Sequence, residues 1–143
     1  MELRVKLTDG APLPKHAKDG DAGLDLTSRN DTFQISPHET VMVHTGVWAE
    51  IPDGFNGEVR PRSGIASKRN LAPINAPGTI DSCYRGEILV PLHNFGEKVQ
   101  VVDHGERVAQ LVVAPFATCE CVAVDELTDT DRGSDGFGSS GRL

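Results

Sequence analysis

Sulfur, basic charge, aromatic rings and long apolar runs are all scarce in this sequence, and each shortage removes a class of protein. Cysteine occurs only at Cys83, Cys119 and Cys121, an odd number in 143 residues. That is no disulfide framework; it suits reduced thiols in a reducing compartment. The longest unbroken stretch of apolar residues and prolines is Leu111–Ala117. A membrane-spanning helix needs about 20 residues, so no membrane partner is expected. The start, MELRVKLTDG, lacks the apolar centre of a signal peptide, and a cytoplasmic location is the expectation. Lys and Arg number 14 against 21 Asp and Glu, a net charge of −7, with one Trp, one Tyr and five Phe. That balance argues against a nucleic-acid-binding face, although a local group of arginines can still hold a small anion. The five histidines show no pair at zinc-site spacing, so solvent-facing or supporting roles are expected for them. Gly136–Gly141 matches GxGxxG literally, but only two residues follow it. A dinucleotide fingerprint needs a helix there.

What remains is strand. From Val41 to Ile51 the odd positions read Val, Val, Thr, Val, Ala, Ile, and the even ones Met, His, Gly, Trp, Glu. Period two predicts one buried and one mixed face. Further strands are expected at 2–7, 32–35, 57–61, 87–92, 98–102, 108–113 and 119–124, separated by Asp-Gly and similar turns. Cys119 and Cys121 would then be small buried hydrophobes on one strand face. A single short helix is expected at Ser63–Arg69, with Asn70 as its left-handed stop. Short strands about ten residues apart suggest an all-β sandwich, jelly roll or barrel. The expected organisation is one β domain over 1–127 and a flexible tail over 128–143, where Phe137 and Leu143 are the only large apolar groups.

Chemistry can sit in four stretches: DAGLDL from Asp21, PRSGIASK from Pro61, NAPGTIDSCYRG from Asn75, and RVAQ from Arg107. Arg-Ser-Gly at a helix start offers a guanidinium, a hydroxyl and free N–H groups, which together suit an anion. Arg107 and Arg132 can add cations, and Asp81 lies close to the single tyrosine, Tyr84. A carboxylate, a phenol ring and several cations suit a phosphorylated nucleoside.

These stretches, in order and followed by RGSDGFGSSG from Arg132, resemble the five motifs of the trimeric deoxyuridine 5'-triphosphate nucleotidohydrolase (dUTPase) family, from Asp21 to Gly141. The resemblance implies a jelly-roll-like β fold and a homotrimer whose active sites lie between subunits. The implied reaction is hydrolysis of dUTP to dUMP and pyrophosphate with Mg²⁺ carried by the triphosphate, which limits uracil in DNA and supplies dUMP. By motif position, Asp81 would orient and deprotonate the attacking water. Arg62, Ser63, Gly64 and Gln110 would hold phosphates, and Asp25 would touch the metal through water. Asn75, Thr79 and Ile80 would read the uracil edge, Tyr84 would lie beneath the deoxyribose, and Leu89 would line the same pocket. Arg132 would reach the γ-phosphate, and Phe137 with Gly138 would cover the base. Cys83 and Asn70 depart from the common family pattern; Asn70 asks a non-glycine residue to take a left-handed turn. Two other readings stay open: a relative that deaminates dCTP, and a non-catalytic regulatory protein on the same scaffold.

Overall fold

A computed structural model describes residues 1–134 and 136. The chain runs through β1 (Arg4–Leu7), β2 (Leu24–Thr27), β3 (Phe33–Ile35), β4 (Thr40–His44), β5 (Val47–Glu50) and β6 (Phe55–Pro61). It continues through α1 (Ser63–Arg69), β7 (Leu71–Pro73), β8 (Gly78–Ile80), β9 (Leu89–Asn94), β10 (Gln100–Val102) and β11 (Arg107–Pro115). The protein is therefore all-β with one short helix. Its strands pair antiparallel in four sheets, ordered β2-β11-β6-β8, β4-β9-β7, β1-β5 and β3-β10. Among the described residues, backbone pairing does not close these sheets into a barrel. None of the described helices is long and apolar enough to cross a membrane.

The alternation from Val41 to Ile51 directs the core. Val43, Val47, Ala49 and Ile51 are buried, while Met42, His44 and Glu50 face out. The run is two strands rather than one, because Gly46 turns the chain at φ +68. A Cβ there would lie 2.4 Å from Thr8 Oγ1, so glycine is required by both the conformation and the contact. Thr45, buried at the break, donates from Oγ1 to the Ile88 carbonyl at 2.6 Å. Leu26, Ile35, Leu71, Val90, Leu92, Val102 and Leu111 complete one shared core. Fully burying each such side chain stabilises by about 1.5–3 kcal/mol.

Asn94 is the buried polar tie. Its Nδ2 donates to the Ile35 carbonyl at 3.0 Å and the Lys98 carbonyl at 2.8 Å, and its Oδ1 accepts from the Gly96 N–H at 3.0 Å. Helix α1 ends as expected: Asn70 is left-handed, at φ 53 and ψ 33, and caps the last turn. Arg69 then fastens the helix to the opposite loop through Gln100, Glu106 and the Val101 carbonyl.

The expectation for 119–124 fails. Residues 119–124 form no strand, and Cys119 and Cys121 are exposed rather than buried. Apolar alternation makes a strand only where an edge is available to pair with. Conversely, β2, β7 and β8 were not anticipated as strands. They are only three or four residues long and are held by their neighbours β11, β9 and β6.

Candidate active site

The central sheet β2-β11-β6 carries one group of site residues. Gln110 on β11 lies opposite Asp25 on β2 and opposite Arg60 on β6. Arg107 and Gln110 are three apart, so a regular strand would place them on opposite faces. The register slips between Arg107 and Ala109, and both Val108 and Ala109 are buried. That bulge returns both polar side chains to the outer face.

Asp25 is largely buried and takes two guanidinium groups. Arg62 Nε donates to Oδ1 at 2.9 Å, and Arg107 Nη1 to Oδ2 at 3.0 Å. Arg62 Nη1 also donates to the Arg107 carbonyl at 3.3 Å. Two cations on one carboxylate leave that trio with one net positive charge. Gln110 Nε2 donates to the Pro61 carbonyl at 2.9 Å, and its side chain rests directly on Gly23. A Cβ at Gly23 would come within 1.9 Å of Gln110 Oε1, so DAGLDL needs its glycine for close approach.

Helix α1 begins beside this trio. Arg62 occupies the N-cap in extended conformation, no side chain caps the first turn, and no acidic residue lies in it. Its first amides and the exposed Ser63 and Gly64 therefore face solvent at the positive end of the helix. A cleft of about 300 Å³ collects Asp21, Asp25, Arg60, Arg62, Ser63 and Gln110 around this point. Two arginines and two aspartates line it, so its fit to a phosphorylated ligand rests on the guanidinium donors beside the helix start, with Arg107 paired to Asp25 next to them, rather than on an excess of positive charge.

The second group sits on a hairpin. After β7 the chain turns with a cis Ala76–Pro77 bond and enters β8, which pairs with β6. The Asn75 side chain lies under Gly78, where a Cβ would be 2.9 Å from its Nδ2. Thr79 is exposed and Ile80 half-buried. Asp81 stands exposed just past β8, and its carbonyl accepts from the Tyr84 N–H at 3.0 Å. Tyr84 donates from its hydroxyl to the Glu87 carbonyl at 3.0 Å. Its ring presses on Gly86, where a Cβ would be 2.2 Å from the phenolic oxygen. The Glu87 carboxylate braces this turn by accepting from the Gly46 N–H at 2.8 Å and from His44 Nδ1 at 2.9 Å. His44 thus has a supporting role. Leu89 is half-buried at the start of β9.

Within one chain the two groups remain apart. Asp25, Arg62, Ser63, Gly64 and Gln110 share the cleft, whereas Asp81, Tyr84 and Leu89 do not line it. A shallower cleft of about 500 Å³ joins Ser63 and Gln110 to the hairpin turn at Ala76 and Pro77. Arg132 is exposed. Phe137 and Gly138 lie outside the described residues. Sequence reasoning passed over Arg60, which lines both clefts. The signal was present: on a strand, residue 60 shares its parity with Arg62 and so its face.

Metal binding by the protein alone finds no support: among the described residues, no three His, Cys, Asp or Glu side chains gather. Both Asp25 oxygens already accept from arginines. This donor set fits a cation carried by substrate phosphates and met through water, not one caged by the chain.

Such an arrangement is that of an all-β protein with a polar cleft suited to phosphate groups, and comparison with known proteins narrows its class to the hydrolases. A model of the dUTPase family matches residues 9–141. The chain is 46% identical over 142 residues to the deoxyuridine 5'-triphosphate nucleotidohydrolase of Hydrogenobaculum sp. (strain Y04AAS1), covering 99% of both. It is 46% identical over 140 residues to that of Anaplasma marginale (strain St. Maries), covering 97% of this chain and 95% of that one. The solved structure of the Staphylococcus bacteriophage 80alpha dUTPase with dUPNHPP matches with a TM-score of 0.88 at 31% identity, over 98% of each chain. The chain belongs to the dUTPase family.

Proposed function

We propose that this protein hydrolyses dUTP to dUMP and pyrophosphate in the cytoplasm, at a site assembled between the subunits of a homotrimer. The observation that carries the reading is the meeting of Asp25, Arg62, Ser63 and Gln110, from three separate motifs, in one polar cleft. Arg62, Ser63, Gly64 and Gln110 hold the phosphate chain, and Arg132 reaches its far end. Asp25 sets the direction of Arg62 and meets the metal shell through water. Mg²⁺, carried in by the triphosphate and met through water by Asp25, would supply charge neutralisation at the phosphate chain.

Asp81 orients a water in line with the α-phosphorus and takes its proton. The new P–O bond forms as the bond from the α-phosphorus to the bridging oxygen breaks. General-base assistance contributes about 10²–10⁴-fold; positioning and charge neutralisation supply the rest. Asn75, Thr79 and Ile80 present fixed backbone groups to the uracil edge, and a mismatched base would leave them unpaired. Rejection on that basis reaches about 10⁴–10⁵. Tyr84 supports the deoxyribose, and Leu89 lines the pocket. Phe137 and Gly138 close over the base as part of a tail spanning 128–143.

Assembly is supported by two observations. The hairpin groups lie outside the phosphate cleft of their own chain. Beyond β11, Val122, Val124 and Leu127 are 73%, 60% and 87% exposed, apolar surface that suits cover by a second copy.

The deciding experiment is pyrophosphate release from dUTP, dTTP, dCTP and UTP, with and without Mg²⁺, alongside the mass in solution. Mg²⁺-dependent turnover of dUTP alone, by a trimer, is expected. Ammonia from dCTP would instead indicate a deaminase. Binding of dUTP with no hydrolysis would indicate a regulatory protein.

A further inference from the structure

One cation in the phosphate cleft has no part in the reaction as described. Arg60 lies in a row with Gln110 and Asp25 across β6, β11 and β2. Residues directly opposite in neighbouring strands share a face, with Cβ atoms about 4.5–5.5 Å apart. Arg60 also lines the shallower cleft with Ser63, Ala76 and Pro77, so it sits where the phosphate cleft meets the hairpin turn.

Its guanidinium leans along the strand to Glu58. Nε donates to Oε2 at 2.7 Å, and Nη2 donates to the same oxygen. The other Glu58 oxygen accepts from Asn56 Nδ2 at 3.4 Å. Among the described residues no hydrogen bond or ion pair engages Nη1. Arg60 is 46% exposed and Glu58 20%. Two donors on one oxygen forgo the parallel fork of a bidentate pair, and solvent screens a partly exposed pair of this kind, which leaves it weak. Exchange of that carboxylate for phosphate oxygens therefore meets little resistance. The hydrogen bond from Arg60 holds the Glu58 carboxyl below its usual range, so the tether is ionised at neutral pH.

We infer that Arg60 is a further substrate-binding residue, tethered to Glu58 in the empty cleft and passed to the polyphosphate chain when it enters. Glu58 then competes for the same guanidinium and sets how long pyrophosphate stays. The inference rests on the dUTP reading of this cleft.

The test uses the full chain as wild type, R60Q, R60K and E58Q. Inorganic pyrophosphate and dUMP are compared as inhibitors of dUTP hydrolysis, and inorganic pyrophosphate is titrated directly by calorimetry. R60Q should weaken pyrophosphate about tenfold, as for loss of a charge-assisted hydrogen bond, with dUMP inhibition unchanged. R60K should retain part of the affinity, and E58Q should tighten pyrophosphate several-fold. If R60Q does not fold, judged by thermal denaturation, R60K and E58Q decide. Equal pyrophosphate affinity in the wild type and the folded variants overturns the inference. A wild type that binds pyrophosphate but leaves dUTP intact overturns the functional reading instead, and calorimetry still decides the role of Arg60.

Discussion

Replacing Gly23 by alanine isolates the contribution of one side chain that the substitution never touches chemically. The new methyl carbon would lie 1.9 Å from Gln110 Oε1 and 2.8 Å from its Cδ. Neither distance is tolerable, so the Gln110 side chain must swing away. It then loses its 2.9 Å bond to the Pro61 carbonyl, worth about 0.5–1.5 kcal/mol. In a chain of this size, 1 kcal/mol moves the melting temperature by about 2–4 °C. The larger effect falls on catalysis. A hydrogen bond to a charged phosphate contributes about 1.5–3 kcal/mol, so kcat/KM should fall about 10- to 150-fold at 1.4 kcal/mol per decade. The double variant G23A/Q110A should be no worse than Q110A alone, because both act through the same contact. Steady-state dUTP hydrolysis and thermal denaturation measure the two effects. Wild-type kcat/KM in G23A, or full additivity in the double variant, would refute the argument.

Three further outcomes are expected. Asp81→Asn should lower kcat by at least about 100-fold while a non-hydrolysable dUTP analogue still binds, as equilibrium titration would reveal. Gly86→Ala drives a methyl to 2.2 Å from the Tyr84 hydroxyl and should erode discrimination between dUTP and UTP, read as the ratio of their kcat/KM values. Deleting Gly133–Leu143 should leave the melting temperature unchanged but reduce turnover strongly. Ordering each tail residue costs about 1–2 kcal/mol, and ring stacking returns only about 1–3 kcal/mol. On the proposed reading, in which Arg132 reaches the γ-phosphate, that contact supplies the remainder, so the loss of turnover should be larger for dUTP than for shorter nucleotides.

The pH response of Glu58 has a definite sign. Its carboxyl is held low chiefly by the hydrogen bond from Arg60. A lowered folded-state value contributes stability above the ordinary 4.5, lost as pH falls through the lowered value. E58Q should therefore flatten the acid limb of the stability profile, measured by denaturant unfolding across that range.

Local chemistry made several features readable in advance. Helix α1 spans Ser63–Arg69, and Asn70 takes the left-handed stop, because helix ends are settled within a few residues. The buried parity of 41–51 follows from alternation alone. The cysteines went the other way. Cys119 and Cys121 carry a strand-like pattern but are exposed in the single chain, since burial depends on what packs against a segment. The Arg107–Ala109 bulge left no signature either. A bulge arises from the match between two strands distant in sequence, yet it sets Gln110 opposite Asp25 in register and lets Arg107 reach the Asp25 carboxylate.

The order of residues alone determined the strand-rich class, the short helix and the motif set that carries the family, because each depends on spacing along the chain. Tertiary structure alone decided that Asp25 would be shared by Arg62 and Arg107, that Gly23 would support Gln110, and that Arg60 would enter the cleft. It also left the Asp81 hairpin outside its own phosphate cleft. Those facts come from strand register and packing between segments far apart in sequence, where a shift of one residue sends a side chain to the opposite face.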